Sequence, residues 1–190
     1  MWNYFSDTLN TTTKTFTDNA TVFGKVYFPR IILPLSKVLS GLIKFAIQFG
    51  LFLIIWLYFI FVKGGLHPNF FALLFPVLLA LVSVIALGLG LLITSLTTKY
   101  RDLQFLVSFG VTLWMFITPV IYPLNKHEHI KHLLLLNPLT SIFEAFKYGF
   151  LGSGYLNFGW LLYSVGFTVV TLLIGVLIFN KVEKRFIDTV

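Results

Sequence analysis

The polar run Asn125–His132, NKHEHIKH, groups three histidines and a carboxylate closely enough to suggest a metal site. It falls short of the zinc signature His-Glu-x-x-His, because Lys131 stands where the second imidazole is required. His127, His129 and His132 therefore read as part of a solvated external loop, and no metal site is expected. Nucleotide chemistry is no better served. No Gly-x-x-x-x-Gly-Lys-Ser/Thr run occurs, so the chain does not hydrolyse ATP by that route. Gly88-Leu-Gly90 lies inside an apolar stretch and is not a phosphate loop. Zero cysteines exclude a disulfide framework and a thiolate metal site.

Two groups of chemistry-bearing residues remain. Glu144 and Lys147 stand three apart, the spacing at which side chains on one helix meet. The segment Lys25–Ser36, KVYFPRIILPLS, sets Tyr27, Phe28 and Pro29 between Lys25 and Arg30. Pro29 and Pro34 bias Phe28 and Leu33 away from helical geometry, so the segment is expected to be short, bent and amphipathic. Rings at headgroup level with wet cations suit a membrane surface. A plain cytoplasmic loop whose charges only set topology fits the same residues.

The elements that must position these groups are apolar. Of 190 residues, 57% are hydrophobic and only 11% charged, where a soluble domain carries about a quarter charged residues. Mean hydropathy is +0.90. This is the composition of an integral membrane protein. The net charge of +7 lies between apolar runs, which suits membrane topology better than nucleic acid.

Four stretches read as spans: Val38–Val62, Pro68–Thr98 with a kink allowed at Pro76, Leu103–Tyr122, and Phe158–Asn180. Ala86-x-x-x-Gly90 offers a small face for close packing, as does the stripe Ser164, Thr168, Thr171 and Gly175. Lys37, Lys44 and Gln48 share one helical face; Lys44 either snorkels or faces a bundle interior or water-filled path. Phe105, Phe109 and Phe116 share another face, suited to lipid or neighbouring helices. Residues 1–24 are rich in threonine, with Asp7, Lys14 and Asp18 on one side. They read either as a polar-faced membrane helix packed inside a bundle or as an exposed surface helix.

Leu133–Leu136 and Pro138–Leu151 are each shorter than the ~20 residues a span needs. Asn137-Pro138 joins them, with asparagine as a cap and proline at the first helical position. Together they read as a re-entrant or interfacial hairpin. The expected fold is therefore all-α: a polytopic membrane helix bundle of about five membrane helices plus a short re-entrant external hairpin. With the tail cytoplasmic, alternation puts Lys25, Arg30, Lys37, Lys99, Arg101, Lys181, Lys184 and Arg185 inside. Lys63, Lys126, Lys131 and Lys147 then lie outside, so the bias follows the positive-inside rule. Met1 is external in this orientation, and an upstream membrane segment is expected before it.

KVYFPRIILPLS followed by a span, then TKYRDLQFLVSFGVTLWMFITPVIYPL, then NPLTSIFEAFKYGFLG, resembles the ABC-2 type permease of polysaccharide exporters. Members export O-antigen, teichoic acid or capsular chains. The resemblance covers essentially the whole chain, taken as one transmembrane domain over residues 1–190. The sequence departs from the family at the front, where an amphipathic interface helix and a first span are absent.

The resemblance implies a transport subunit rather than an enzyme. It has no cofactor of its own, because ATP is bound by a separate partner subunit. Lys25, Tyr27, Phe28, Pro29 and Arg30 match the family's cytoplasmic coupling helix. Trp114, Phe116 and Tyr122 are the implied sugar path, since aromatic residues line the family's channel. Asn137, Pro138, Glu144 and Lys147 fall in its external gate. The implied assembly is a homodimer of permease subunits with two ATP-binding subunits, exporting a lipid-linked polysaccharide across the bacterial cytoplasmic (inner) membrane. An ABC-2 exporter of a drug or lipid is the alternative within transport. A non-transporting membrane scaffold subunit is the alternative outside it.

Overall fold

The computed structural model describes residues 1–18, 31–63, 68–97, 100, 102–122, 124 and 131–187, with Phe16, Lys63 and 183–187 described by backbone alone. The described residues are predominantly helical, with no strand among them. In chain order the helices are α1 (Trp2–Thr13), α2 (Thr15–Asp18), α3 (Ile32–Tyr58), α4 (Phe75–Thr97), α5 (Leu103–Ile117), α6 (Lys131–Leu135), α7 (Pro138–Leu151) and α8 (Phe158–Ile187). A π-helical turn, Phe59–Lys63, extends α3, and a 3-10 turn, Phe70–Leu74, leads into α4.

Three described segments are long and apolar enough to cross a membrane: Ile32–Val62, Phe70–Thr97 and Phe158–Val182. The fourth expected span falls short. α5 ends at Ile117 rather than running to Tyr122. Pro119 is the cause: the residue before a proline is pushed out of helical geometry, and Thr118 is extended at φ −90°, ψ 133°. The Thr118 N–H and hydroxyl close the helix on the Trp114 carbonyl, at 3.0 and 2.9 Å. Fifteen residues rise about 22 Å, less than the ~30 Å hydrocarbon core.

Two proline expectations also change. Ile32–Ser36 is the first turn of α3, so Leu33 is helical despite Pro34. A first-turn proline gives up an N–H that has no helical partner there. Pro76 likewise sits in the first turn of α4 and does not kink a running helix.

The bundle is built around α4. Its small residues allow close approach on two sides. A Cβ on Gly90 would stand 2.5 Å from Thr12 Cγ2 of α1, and a Cβ on Gly175 of α8 would stand 2.5 Å from the Gly88 carbonyl oxygen. Thr168 and Thr171 return their hydroxyls to the carbonyls of Ser164 and Phe167, at 2.6 and 2.8 Å, so their polar atoms stay within α8. The Thr-rich helix α1 is thus packed inside the bundle, the first of its two expected placements. Trp2, Tyr4, Phe5, Thr8, Leu9, Thr12 and Thr13 are buried. The Tyr4 hydroxyl is 2.8 Å from Ser83 Oγ, and Thr97 Oγ1 donates to the Thr13 carbonyl at 3.1 Å. By contrast α3 is peripheral: only Pro34, Val38 and Phe45 are buried, and Ile43, Ile47 and Ile54 stand exposed as lipid-facing residues do.

Candidate functional site

α7 forms over the expected Pro138–Leu151, while the piece before it, expected at Leu133–Leu136, is α6 over Lys131–Leu135. Asn137 caps α7, its Oδ1 accepting from the Leu139 N–H at 3.1 Å, with Pro138 at the first helical position. α7 ends at Gly152, whose φ of 66° is the left-handed conformation glycine adopts without a Cβ penalty. The helix does not rest on the outside of the bundle. Every residue from Pro138 to Ala145 is buried.

Its anchors reach all neighbouring elements. Pro138 gives its carbonyl to Ser164 Oγ of α8 at 2.7 Å. The Phe150 carbonyl accepts from Trp56 Nε1 of α3 at 2.7 Å. Gly149 lies against Ala72, where a Cβ would meet the Ala72 nitrogen at 2.8 Å. Phe146 and Phe150 join Phe49, Phe52 and Phe75 in one aromatic cluster, whose closest rings, Phe49 and Phe75, stack at 4.1 Å.

Glu144 is the buried charge of this hairpin, 2% exposed, and every oxygen is satisfied. Oε1 pairs with Lys147 Nζ at 2.9 Å and Oε2 accepts the Tyr155 N–H at 3.0 Å. Lys147 Nζ also donates to the Pro119 carbonyl. Asn137 makes a second tie to the same turn, its Nδ2 donating to Thr118 Oγ1 at 2.8 Å. The end of α5 is therefore held to α7 at both Thr118 and Pro119. Of the residues assigned to the external gate, Asn137, Pro138, Glu144 and Lys147 are brought together by these contacts.

Those assigned to the sugar path are not gathered into one lining. Trp114 is half-buried with its ring 5.6 Å from Phe5, edge to face. Phe116, two residues on, points to the opposite side and is 59% exposed. Tyr122 lies beyond the helix, its hydroxyl donating to the Phe116 carbonyl at 3.2 Å. Phe105 and Phe109 share the exposed side with Phe116. The assigned coupling residues Lys25, Tyr27, Phe28, Pro29 and Arg30 lie outside the described residues, as do His127 and His129.

A polar seam between α5 and the helices α1 and α2 escaped the sequence reading. Gln104 Nε2 donates to Thr17 Oγ1 at 2.9 Å, and Ser108 Oγ donates to Asn10 Oδ1 at 3.3 Å. Gln104, Ser108 and Thr112 recur every fourth residue in an otherwise apolar helix, a period that signals one polar face. That face adjoins the exposed rings of Phe105, Phe109 and Phe116. Hydroxyls and amides beside aromatic faces are the chemistry that binds sugars: rings stack on apolar sugar faces while polar groups meet the hydroxyls.

These features define a multi-pass membrane protein with a largely buried helix, α7, beside a polar, aromatic helix face. Residues 3–151 match the ABC-2 type transporter family, and the chain belongs to it. It is similar to the O-antigen export system permease protein RfbA of Myxococcus xanthus, 32% identical over 149 residues. That match covers 77% of this chain and 55% of the relative, so this chain spans about half of that protein's length. Two Klebsiella pneumoniae proteins of the same description are 29% and 28% identical over 191 residues, covering 98% of this chain and 71% of theirs.

Proposed function

We propose that this chain is the membrane-spanning permease subunit of an ABC transporter that exports a lipid-linked polysaccharide across the bacterial cytoplasmic membrane. The observation that carries the reading is its likeness, over 98% of its length, to proteins described as O-antigen export permeases. The polar and aromatic face of α5 supports a sugar cargo over an apolar one.

On this reading the chain takes no cofactor and performs no bond chemistry. ATP is bound and hydrolysed by a separate ATP-binding subunit, which docks on Lys25, Tyr27, Phe28, Pro29 and Arg30. Two permease copies form the path. Phe116 and Tyr122 line part of it, Gln104, Ser108 and Thr112 continue it, and Trp114 packs inward against Phe5. Asn137, Pro138, Glu144 and Lys147 hold α7 across its external end. Because α7 is bonded on every side, opening requires the ties to Thr118 and Pro119 to break together.

The test is complementation. Cells lacking an O-antigen permease, supplied with this protein and its ATP-binding partner, are expected to regain surface glycan detectable by antibody. Glycan that accumulates inside despite correct insertion of the protein would defeat the proposal.

A further inference from the structure

A groove of about 190 Å³ separates α1 from α3, lined by Asp7 and Thr11 on one wall and Lys37, Ser40, Lys44 and Gln48 on the other. It interrupts a membrane-length helix whose outward residues beside the groove include Leu39, Ile43, Ile47 and Leu51, all more than half exposed. Lys44 is twelve residues past the start of α3, about 18 Å along its axis. Counted from Val38, where the expected span begins, Lys44 lies six residues in, about 9 Å, and an ionisable group within a span is costly against lipid and marks bound charge or water.

The charge balance selects the ligand. Two ammonium groups face one carboxylate. Among the described residues the single ion pair within 4 Å is Glu144–Lys147, so Asp7 does not neutralise either lysine by direct contact. Lys37 and Lys44 stand seven residues apart on one face of α3, about 10 Å along its axis, and both line the groove. The groove thus carries two cations with a hydroxyl, Ser40, and an amide, Gln48, beside them.

We propose that this groove seats the phosphate of a membrane lipid between Lys37 and Lys44, with its acyl or prenyl chain lying against the exposed isoleucines of α3. A phosphate supplies the missing negative charge and accepts from both ammonium groups. The seat is distinct from the polar face of α5.

Native mass spectrometry of the full chain tests this directly. The protein is released from nanodiscs of phosphatidylcholine alone or mixed with phosphatidylglycerol, and a short-chain prenyl diphosphate is titrated in a second arm. Retained phosphatidylglycerol that falls about fivefold for each of Lys37→Gln and Lys44→Gln marks a resident phospholipid. The same loss seen only for the prenyl diphosphate marks the head of a lipid carrier. Both results uphold a phosphate seat. Asp7→Asn, which removes the opposing charge, is expected to raise retention. It also serves if the lysine variants fail to fold. Unchanged retention of both lipids in the well-folded Lys37→Gln/Lys44→Gln variant would overturn the proposal, as would Asp7→Asn leaving retention unaltered.

Discussion

Buried Glu144 and partly exposed Lys147 form an ion pair, 2.9 Å apart on successive turns of α7, and both also bond to segments outside that helix. The carboxylate holds the Tyr155 N–H and the ammonium holds the Pro119 carbonyl. The pair therefore acts as a joint between α7, the end of α5 and the entry to α8. Breaking a buried pair from one side leaves an uncompensated charge, which costs more than the pair contributes.

Lys147→Met is expected to destabilise the protein by about 3 kcal/mol, because Glu144 stays buried with its partner gone. Glu144→Gln should cost less, since an amide oxygen still accepts from Tyr155 and Lys147 is partly exposed. Thermal unfolding in detergent checks the order. In the double variant a coupling of roughly 1–3 kcal/mol should appear as non-additivity. Simple additivity would mean that the joint is not a unit. Glu144→Leu should also abolish export of long glycan while the protein still inserts; export that survives both Glu144→Leu and Lys147→Leu would remove the gate role from α7.

Gly175→Ala should force α8 away from α4, because its Cβ would stand 2.5 Å from the backbone oxygen of Gly88. Overpacking of this kind costs about 1–3 kcal/mol. Gly166 lies on the same helix with nothing within 4 Å of its Cβ position, so Gly166→Ala is the control and should leave the unfolding temperature unchanged or slightly raised. Equal effects at both glycines would count against the close α4–α8 contact.

Ser108→Leu and Asn10→Leu should leave insertion intact and reduce glycan export, since each removes one side of the seam between α1 and α5. Phe105→Ala and Phe109→Ala should reduce it too if their exposed rings meet sugar. Normal export in all four variants would move the cargo path off this face.

Membrane orientation is open to a clean measurement because the chain has no native cysteine. Positive-inside counting puts position 128 outside and position 184 inside. An impermeant thiol reagent should label Glu128→Cys but not Lys184→Cys in intact cells, and the reverse pattern would invert the topology.

Much of this architecture was legible because it rests on local chemistry. Asn137-Pro138 and Gly152 bracket α7 by their own backbone preferences, and spacing alone paired Glu144 with Lys147. The small residues Ala86, Gly90 and Gly175 announced close helix contacts. What spacing could not give was the partner: nothing local to Gly90 points to Thr12, nor to Glu144 the Tyr155 N–H. The end of α5 is not legible in hydropathy, which runs unbroken through Pro119, whereas the proline turns Thr118 out of the helix. The seam was overlooked because Gln104, Ser108 and Thr112 are mild polar residues within a strongly apolar average. Trp114 and Phe116 were grouped by type, yet two residues on a helix face opposite ways.

The central claim is ATP-driven export of a lipid-linked glycan, and reconstitution tests it most directly. The full protein and its ATP-binding partner are placed in proteoliposomes with a radiolabelled lipid-linked polysaccharide. Movement is read as protection of the label from an added glycan-cleaving enzyme. Wild-type protein is expected to show ATP-dependent protection, and Arg30→Glu to lose it with weakened partner binding. ATP turnover with no glycan movement, or equal movement in Arg30→Glu with normal partner binding, would contradict the account.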